Sequence, residues 1–118
     1  MSRSARSILA FGAYLVVVGA MLAVAPNVLL SLFGVPTTEE VWIRILGIVV
    51  FVFGLYFVQA SREGVTAFFR WTVWGRSIVV VAFVAFVALG MAPPVLILFA
   101  AIDAGGALWT ALTLRGGR

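Results

Sequence analysis

Four apolar runs, each about as long as a bilayer's hydrocarbon layer is thick, occupy most of this chain. A helix needs ~20 mainly apolar residues to cross ~30 Å of hydrocarbon. The predicted spans cover residues 8–25, 41–60, 68–89 and 93–114, which leaves no room for a soluble domain. The sequence therefore predicts one all-α domain over residues 1–118, an integral membrane bundle of four transmembrane helices.

Composition supports the membrane assignment and excludes several kinds of chemistry. The chain is 64% hydrophobic and 10% charged, whereas soluble domains are about half apolar and about a quarter charged. It contains no Cys and no His, which removes thiolate chemistry, disulfides, zinc sites and imidazole catalysis. We therefore expect neither a metal site nor a cofactor.

The first apolar run has two interpretations. Arg3 and Arg6 precede it and small residues follow it, an order that is also typical of a secretory signal peptide. The run is long for a signal peptide, however, and Pro26 stands where cleavage would fall. The favoured interpretation is a first transmembrane span.

A short apolar segment separates the first two spans. Pro26 ends the first span, and the apolar residues that follow as far as Phe33 are too few to cross the bilayer. We expect this segment to lie along the membrane interface. Thr37 and Glu40 then have the spacing of a capping box, which predicts that the second helix starts at about Thr38.

The arginines are distributed unequally between the two sides of the membrane. The side that holds the N-terminus also receives the loop between the second and third spans and the C-terminus. The arginines on that side are Arg3, Arg6, Arg62, Arg70, Arg115 and Arg118. Arg44 lies on the other side with Glu39 and Glu40. The positive-inside rule then predicts that both termini lie in the cytoplasm. Together with the four spans, we expect a multi-pass protein of the plasma membrane, in a bacterium the inner membrane.

The same distribution bears on the partners of the chain. The arginines stand singly among apolar runs, whereas a nucleic-acid-binding protein gathers its cations on a solvated face. We therefore expect no nucleic-acid partner. The expected partners are the lipid bilayer and either other membrane proteins or a second copy of the chain.

Small residues recur along the spans at helical spacing. Inside lipid, Gly and Ala allow helices to approach closely. The residues predicted to pack between helices are Gly12, Gly19, Gly47, Gly54, Ala100, Ala104 and Ala107. These positions indicate packing inside one bundle, and an interface between copies is the alternative.

Asp103 is the one acidic residue within the fourth predicted span. It lies near the middle of the span, where an unpartnered ionised group costs about 3 kcal/mol or more. Helical spacing puts Asp103 on one face with Ala100 and Ala107, away from lipid. Its candidate partners are Arg76 and Arg44, of which Arg76 is favoured because it is the less easily solvated.

Two functional hypotheses follow from Asp103. In one, Asp103 is a proton or cation site of a small oligomeric transporter or channel. In the other, Asp103 and an arginine form a buried pair that fixes helix register. The second hypothesis is preferred and predicts a structural, accessory or scaffold subunit. A single carboxylate does not support hydrolysis without a second acid or a metal, so we do not expect an enzyme.

Several segments of the sequence resemble known groups of four-span membrane proteins. The chain contains WIRILG (Trp42–Gly47), FFRWTVWGR (Phe68–Arg76) and LFAAIDAGGALWTAL (Leu98–Leu112). Together these segments resemble an uncharacterised group of small bacterial four-span membrane proteins, which implies a fold and a location but no activity. RILGI (Arg44–Ile48), followed by two further spans, is similar to the four-span scaffold proteins of eukaryotic ergosterol biosynthesis. That family offers a model of what a scaffold of this size can do.

Overall fold

A computed structural model describes residues 2–116, so Arg118 lies outside the described residues. It contains five helices in this order: α1 (Arg3–Val24), α2 (Pro26–Leu32), α3 (Val41–Glu63), α4 (Thr66–Ala88) and α5 (Leu96–Gly116). Within residues 2–116 there is no strand. Four of the helices are long and apolar enough to cross a membrane. The predicted all-α bundle is confirmed, and the chain is a multi-pass membrane protein.

Helices α1 and α3 are antiparallel and make the most extensive contact of the fold. Gly12 lies opposite Gly54, and Gly19 lies opposite Gly47. A Cβ atom on Gly54 would lie 2.9 Å from the carbonyl oxygen of Gly12, and one on Gly47 would lie 2.8 Å from that of Gly19. The two backbones are therefore in direct contact, which glycine alone permits.

The remaining long helices form a second pair, α4 with α5, and α1 joins the two pairs. Helix α1 contacts α5 along part of its length and α4 more locally. The resulting bundle is flat, with extents of 44 × 29 × 19 Å. The position of α1 makes it the central element of the fold, because it is packed against every other helix.

Helix α2 is the predicted short segment after the first span. Pro26 occupies its first turn, where a proline costs no hydrogen bond. Pro26 and Leu29 are buried, whereas Val28 and Leu32 are exposed. Its seven residues are too few to cross a bilayer.

The start of α3 differs from the prediction. Helix α3 begins at Val41, and the Glu40 N–H donates to the Thr38 hydroxyl at 3.2 Å, so Thr37 does not form the capping box. The cause lies in α2, because the Asn27 side-chain oxygen accepts from the Thr38 N–H at 2.9 Å. This bond holds the residue in the connecting loop and delays the helix.

The small residues of α5 are only partly internal. Ala100 and Ala107 are buried, but Ala104 is exposed. This corrects the prediction that Ala104 packs within the bundle. The inner face of α5 includes the fully buried Thr110, and at ~100° per residue Ala104 lies about 120° around the helix from Thr110.

The contact between α1 and α3 predicts a selective effect of added methyl groups. Gly19→Ala should lower the free energy of unfolding by about 1–3 kcal/mol, because the new methyl group overpacks the interface. Gly75→Ala is the matched control, since nothing lies within 4 Å of a Cβ at that exposed position of α4. Thermal unfolding in detergent measures both. An equal effect of the two substitutions would contradict the observed contact.

Candidate functional site

The most unusual group in the bundle is the guanidinium of Arg76. Arg76 is the eleventh of the 23 residues of α4 and is only 4% exposed. A charged side chain at this depth is costly unless other groups replace its water. Its surroundings therefore define the candidate site.

Threonine oxygens supply the hydrogen bonds to Arg76. Its Nε–H donates to the Thr72 carbonyl oxygen at 3.2 Å, and its Nη2 donates to the Thr72 hydroxyl at 2.9 Å. Nη2 also donates to the Thr110 hydroxyl of α5 at 3.0 Å. These bonds tie the guanidinium to its own helix and to α5.

Aromatic rings cover the faces of the same guanidinium. The Arg76 Cζ atom lies 4.7 Å from the ring centroid of Phe11 and 5.8 Å from that of Phe57. Both distances allow cation–π attraction, which is stronger where water is excluded. Phe11 belongs to α1 and Phe57 to α3, so one arginine contacts all four long helices.

A chain of hydroxyl groups extends from Arg76 to α1. The Thr110 and Ser7 hydroxyls are 2.7 Å apart, and the Ser7 hydroxyl donates to the Ser4 carbonyl oxygen at 2.7 Å. Because Ser7 has a single hydroxyl proton, the Thr110 hydroxyl must be the donor in the shared bond. The network thus has a defined direction from Arg76 through α5 to α1.

One atom of the guanidinium has no partner. Nη1 of Arg76 is buried and makes no hydrogen bond within residues 2–116. It lies against Gly106, where a Cβ atom would approach it to 3.1 Å. The absence of a side chain at Gly106 therefore makes room for the guanidinium beside α5.

Asp103 does not form the predicted ion pair. It is half-buried on the same side of α5 as Ala107 and Thr110. Its charge influences Arg76, but within the described part of the chain no carboxylate oxygen lies within the 4.0 Å of an ion pair with Arg76. This corrects the predicted pairing. The threonine oxygens take the Nε and Nη2 donors that a carboxylate would otherwise use.

Arg44 has a different role from the one predicted. Its Nη1 donates to the carbonyl oxygens of Ala23 at 2.8 Å and of Val24 at 2.9 Å. These are the last carbonyls of α1, which have no partner within the helix. Arg44 therefore caps α1, where a positive charge is favourable, and it is not the partner of Asp103.

Sequence reasoning missed most of the residues that hold Arg76. Thr72 precedes Arg76 by one helical turn, and that i, i+4 spacing is a usable signal. Gly106 follows Asp103 by three residues on α5, and this spacing was a weaker signal. Phe11 and Phe57 carried none, because aromatic residues are frequent throughout the spans.

No group of three or more His, Cys, Asp or Glu residues in the described part of the chain is placed to hold a metal ion. The arrangement offers a fixed cation surrounded by hydroxyls and rings, with one carboxylate nearby.

Comparisons with protein-family models, with curated proteins and with solved structures gave no match.

The hydroxyl chain predicts a measurable coupling between α1 and α5. Thr110→Val should lower the free energy of unfolding by about 1–3 kcal/mol, because it leaves one N–H of Arg76 Nη2 without an acceptor and the Ser7 hydroxyl oxygen without a donor. Ser7→Ala should also destabilise, and the double variant should lose less than the sum of the two. Ser77→Ala removes an exposed hydroxyl of α4 that bonds only to Val73 and should have little effect. Additive losses for Thr110 and Ser7 would contradict the network.

Proposed function

We propose that this chain is a structural or accessory subunit without catalytic activity. It resides in the plasma membrane, in a bacterium the inner membrane, and has both termini in the cytoplasm. Within residues 2–116, one end of the bundle carries Arg3, Arg6, Arg62, Arg70 and Arg115. The positive-inside rule supports placing that end in the cytoplasm.

The observation that carries the proposal is an outward face of small residues on α5. Ala101, Ala104 and Gly105 are exposed, and nothing lies within 4 Å of a Cβ atom at Gly105. Small residues in lipid favour close contact between helices, yet no helix within residues 2–116 covers these. We infer that a helix of another membrane protein, or of a second copy of the chain, packs there.

The interior supports the same function. The contacts of Arg76 join helices of one chain, which is what a structural network requires. Deep in the membrane, Arg76 and Asp103 are the charged groups among the described residues, and Arg76 is held at a fixed place by hydrogen bonds to Thr72 and Thr110.

A transporter that uses Asp103 is the second candidate. Asp103 is half-buried near the middle of α5 and makes no hydrogen bond within the described residues. A carboxylate that is not fixed by partners is free to exchange a proton or a cation. The two candidates differ in whether the protein carries a proton or cation flux that depends on Asp103.

The test is cross-linking in native membranes. A photoreactive residue at Leu108, which is 60% exposed beside Gly105, should give a discrete protein adduct. Gly105→Leu should reduce that adduct at least about fivefold, because a bulky side chain prevents close approach. Gly75→Leu, the same enlargement at an exposed position of α4 where nothing lies within 4 Å of a Cβ atom, should leave it unchanged.

Two results would overturn the accessory role. One is the absence of any discrete adduct, or an adduct that Gly105→Leu does not reduce. The other is proton or cation flux in proteoliposomes that Asp103→Asn abolishes while the fold is retained. The second result would establish the transporter instead.

A further inference from the structure

A cavity opens at the end of the bundle that carries most of the arginines. Its volume is about 690 Å³, and it lies where α1 and α4 begin and α3 and α5 end. All four long helices contribute to its wall. Because the helices are the membrane-spanning elements, their ends lie at the level of the lipid headgroups.

The wall of the cavity combines polar and apolar groups and carries two cations. Arg62 and Arg70 line it, and both are exposed. Glu63 also lines it, but its carboxylate accepts a hydrogen bond from the Gln59 side chain at 2.5 Å. Within residues 2–116, neither arginine forms an ion pair with that carboxylate. The guanidinium groups are therefore available to a ligand.

Further hydrogen-bonding groups surround the two arginines. Ser4, Ser61 and Thr66 line the same space, and the Ser61 and Thr66 hydroxyls donate to the Val58 and Gly64 carbonyl oxygens. Helix α4 begins at this point, and no side chain caps its first turn. Its first backbone N–H groups are donors that favour an anion. Arg62 and Arg70 against Glu63 leave the wall of the cavity with an excess of positive charge.

We propose that this cavity binds the phosphate headgroup of an anionic phospholipid. Guanidinium groups bind phosphate oxygens with paired hydrogen bonds, and basic pockets between spans recognise anionic headgroups. The volume falls within the ~300–1,000 Å³ typical of ligand sites. Leu114 on the wall and the exposed Val65 beside it give the acyl chains an apolar path from the headgroup.

This lipid site is independent of the proposed accessory role. It depends on the end of the bundle, whereas the accessory role depends on the outer face of α5. The lipid site would stand if no protein partner were found, and the accessory role would stand if no lipid bound.

The experiment measures thermal stability of the purified protein in a neutral detergent. Phosphatidylglycerol, phosphatidylcholine and inorganic phosphate are added separately at increasing concentration. We expect phosphatidylglycerol to raise the melting temperature and the other two to have little effect. Arg62→Gln with Arg70→Gln should weaken the apparent affinity for phosphatidylglycerol at least about tenfold.

The control pair keeps the same net charge at the same end. Arg6→Gln with Arg115→Gln removes two exposed arginines that do not line the cavity and should retain most of the lipid effect. Thr66→Phe narrows the cavity without changing charge and should reduce the effect. Equal losses for the two arginine pairs would show diffuse attraction and overturn the site. Stabilisation by phosphate alone, or by phosphatidylcholine to the same extent, would overturn the assignment to an anionic lipid.

Discussion

The interaction on which this structure depends is the burial of the Arg76 guanidinium among four helices. A cation in an apolar interior is stable only if hydrogen bonds and ring faces replace its hydration. Thr72 and Thr110 provide the oxygens, and Phe11 and Phe57 provide the rings. Since these residues come from α4, α5, α1 and α3, the requirements of one side chain fix the position of the α4–α5 pair against the α1–α3 pair.

Two kinds of interaction hold the bundle together, one between α1 and α3 and the other between this pair and the pair α4 and α5. Helices α1 and α3 are held by close backbone contact, in which the matched glycines allow dispersion forces to act over a long interface. The second helix pair is joined to α1 through the polar network of Arg76 and the core around Ile8 and Phe69, both almost fully buried. Polar bonds are directional, so they fix orientation more strictly than apolar packing does.

The consequence for function lies on the outside of the molecule. The surfaces that we propose for partners are the small-residue face of α5 and the cavity at the arginine-rich end. The first suits another helix, and the second suits a phosphate headgroup.

Much of the fold could be predicted from the sequence. The four spans follow from the length of the apolar runs, and the glycines of α1 and α3 follow from their seven-residue spacing, which matches between the two helices. Ala104 could not be assigned, because its spacing fits both the inner face of α5 and its edge. Only the positions of the neighbouring helices decide between the two.

The candidate site was harder to predict than the fold. Asp103 and Arg76 could be singled out from the sequence, but opposite charge alone suggested an ion pair. The threonine oxygens of two helices compete for the same donors, and that competition depends on how α4 and α5 are rotated against each other. Sequence spacing does not contain this rotation. The start of α3 has a similar cause, since it depends on a bond from Thr38 to Asn27 of another helix.

The most direct test of the central role of Arg76 is a pair of distances measured by electron–electron double resonance. Spin labels at the exposed positions Ala10 and Leu112 report the separation of α1 and α5, and labels at Ala10 and Tyr56 report that of α1 and α3. In Arg76→Gln, the first distance should broaden or lengthen, while the second should stay as in the wild type because the glycine contact holds it. An unchanged first distance, or an equal change in both, would contradict the account.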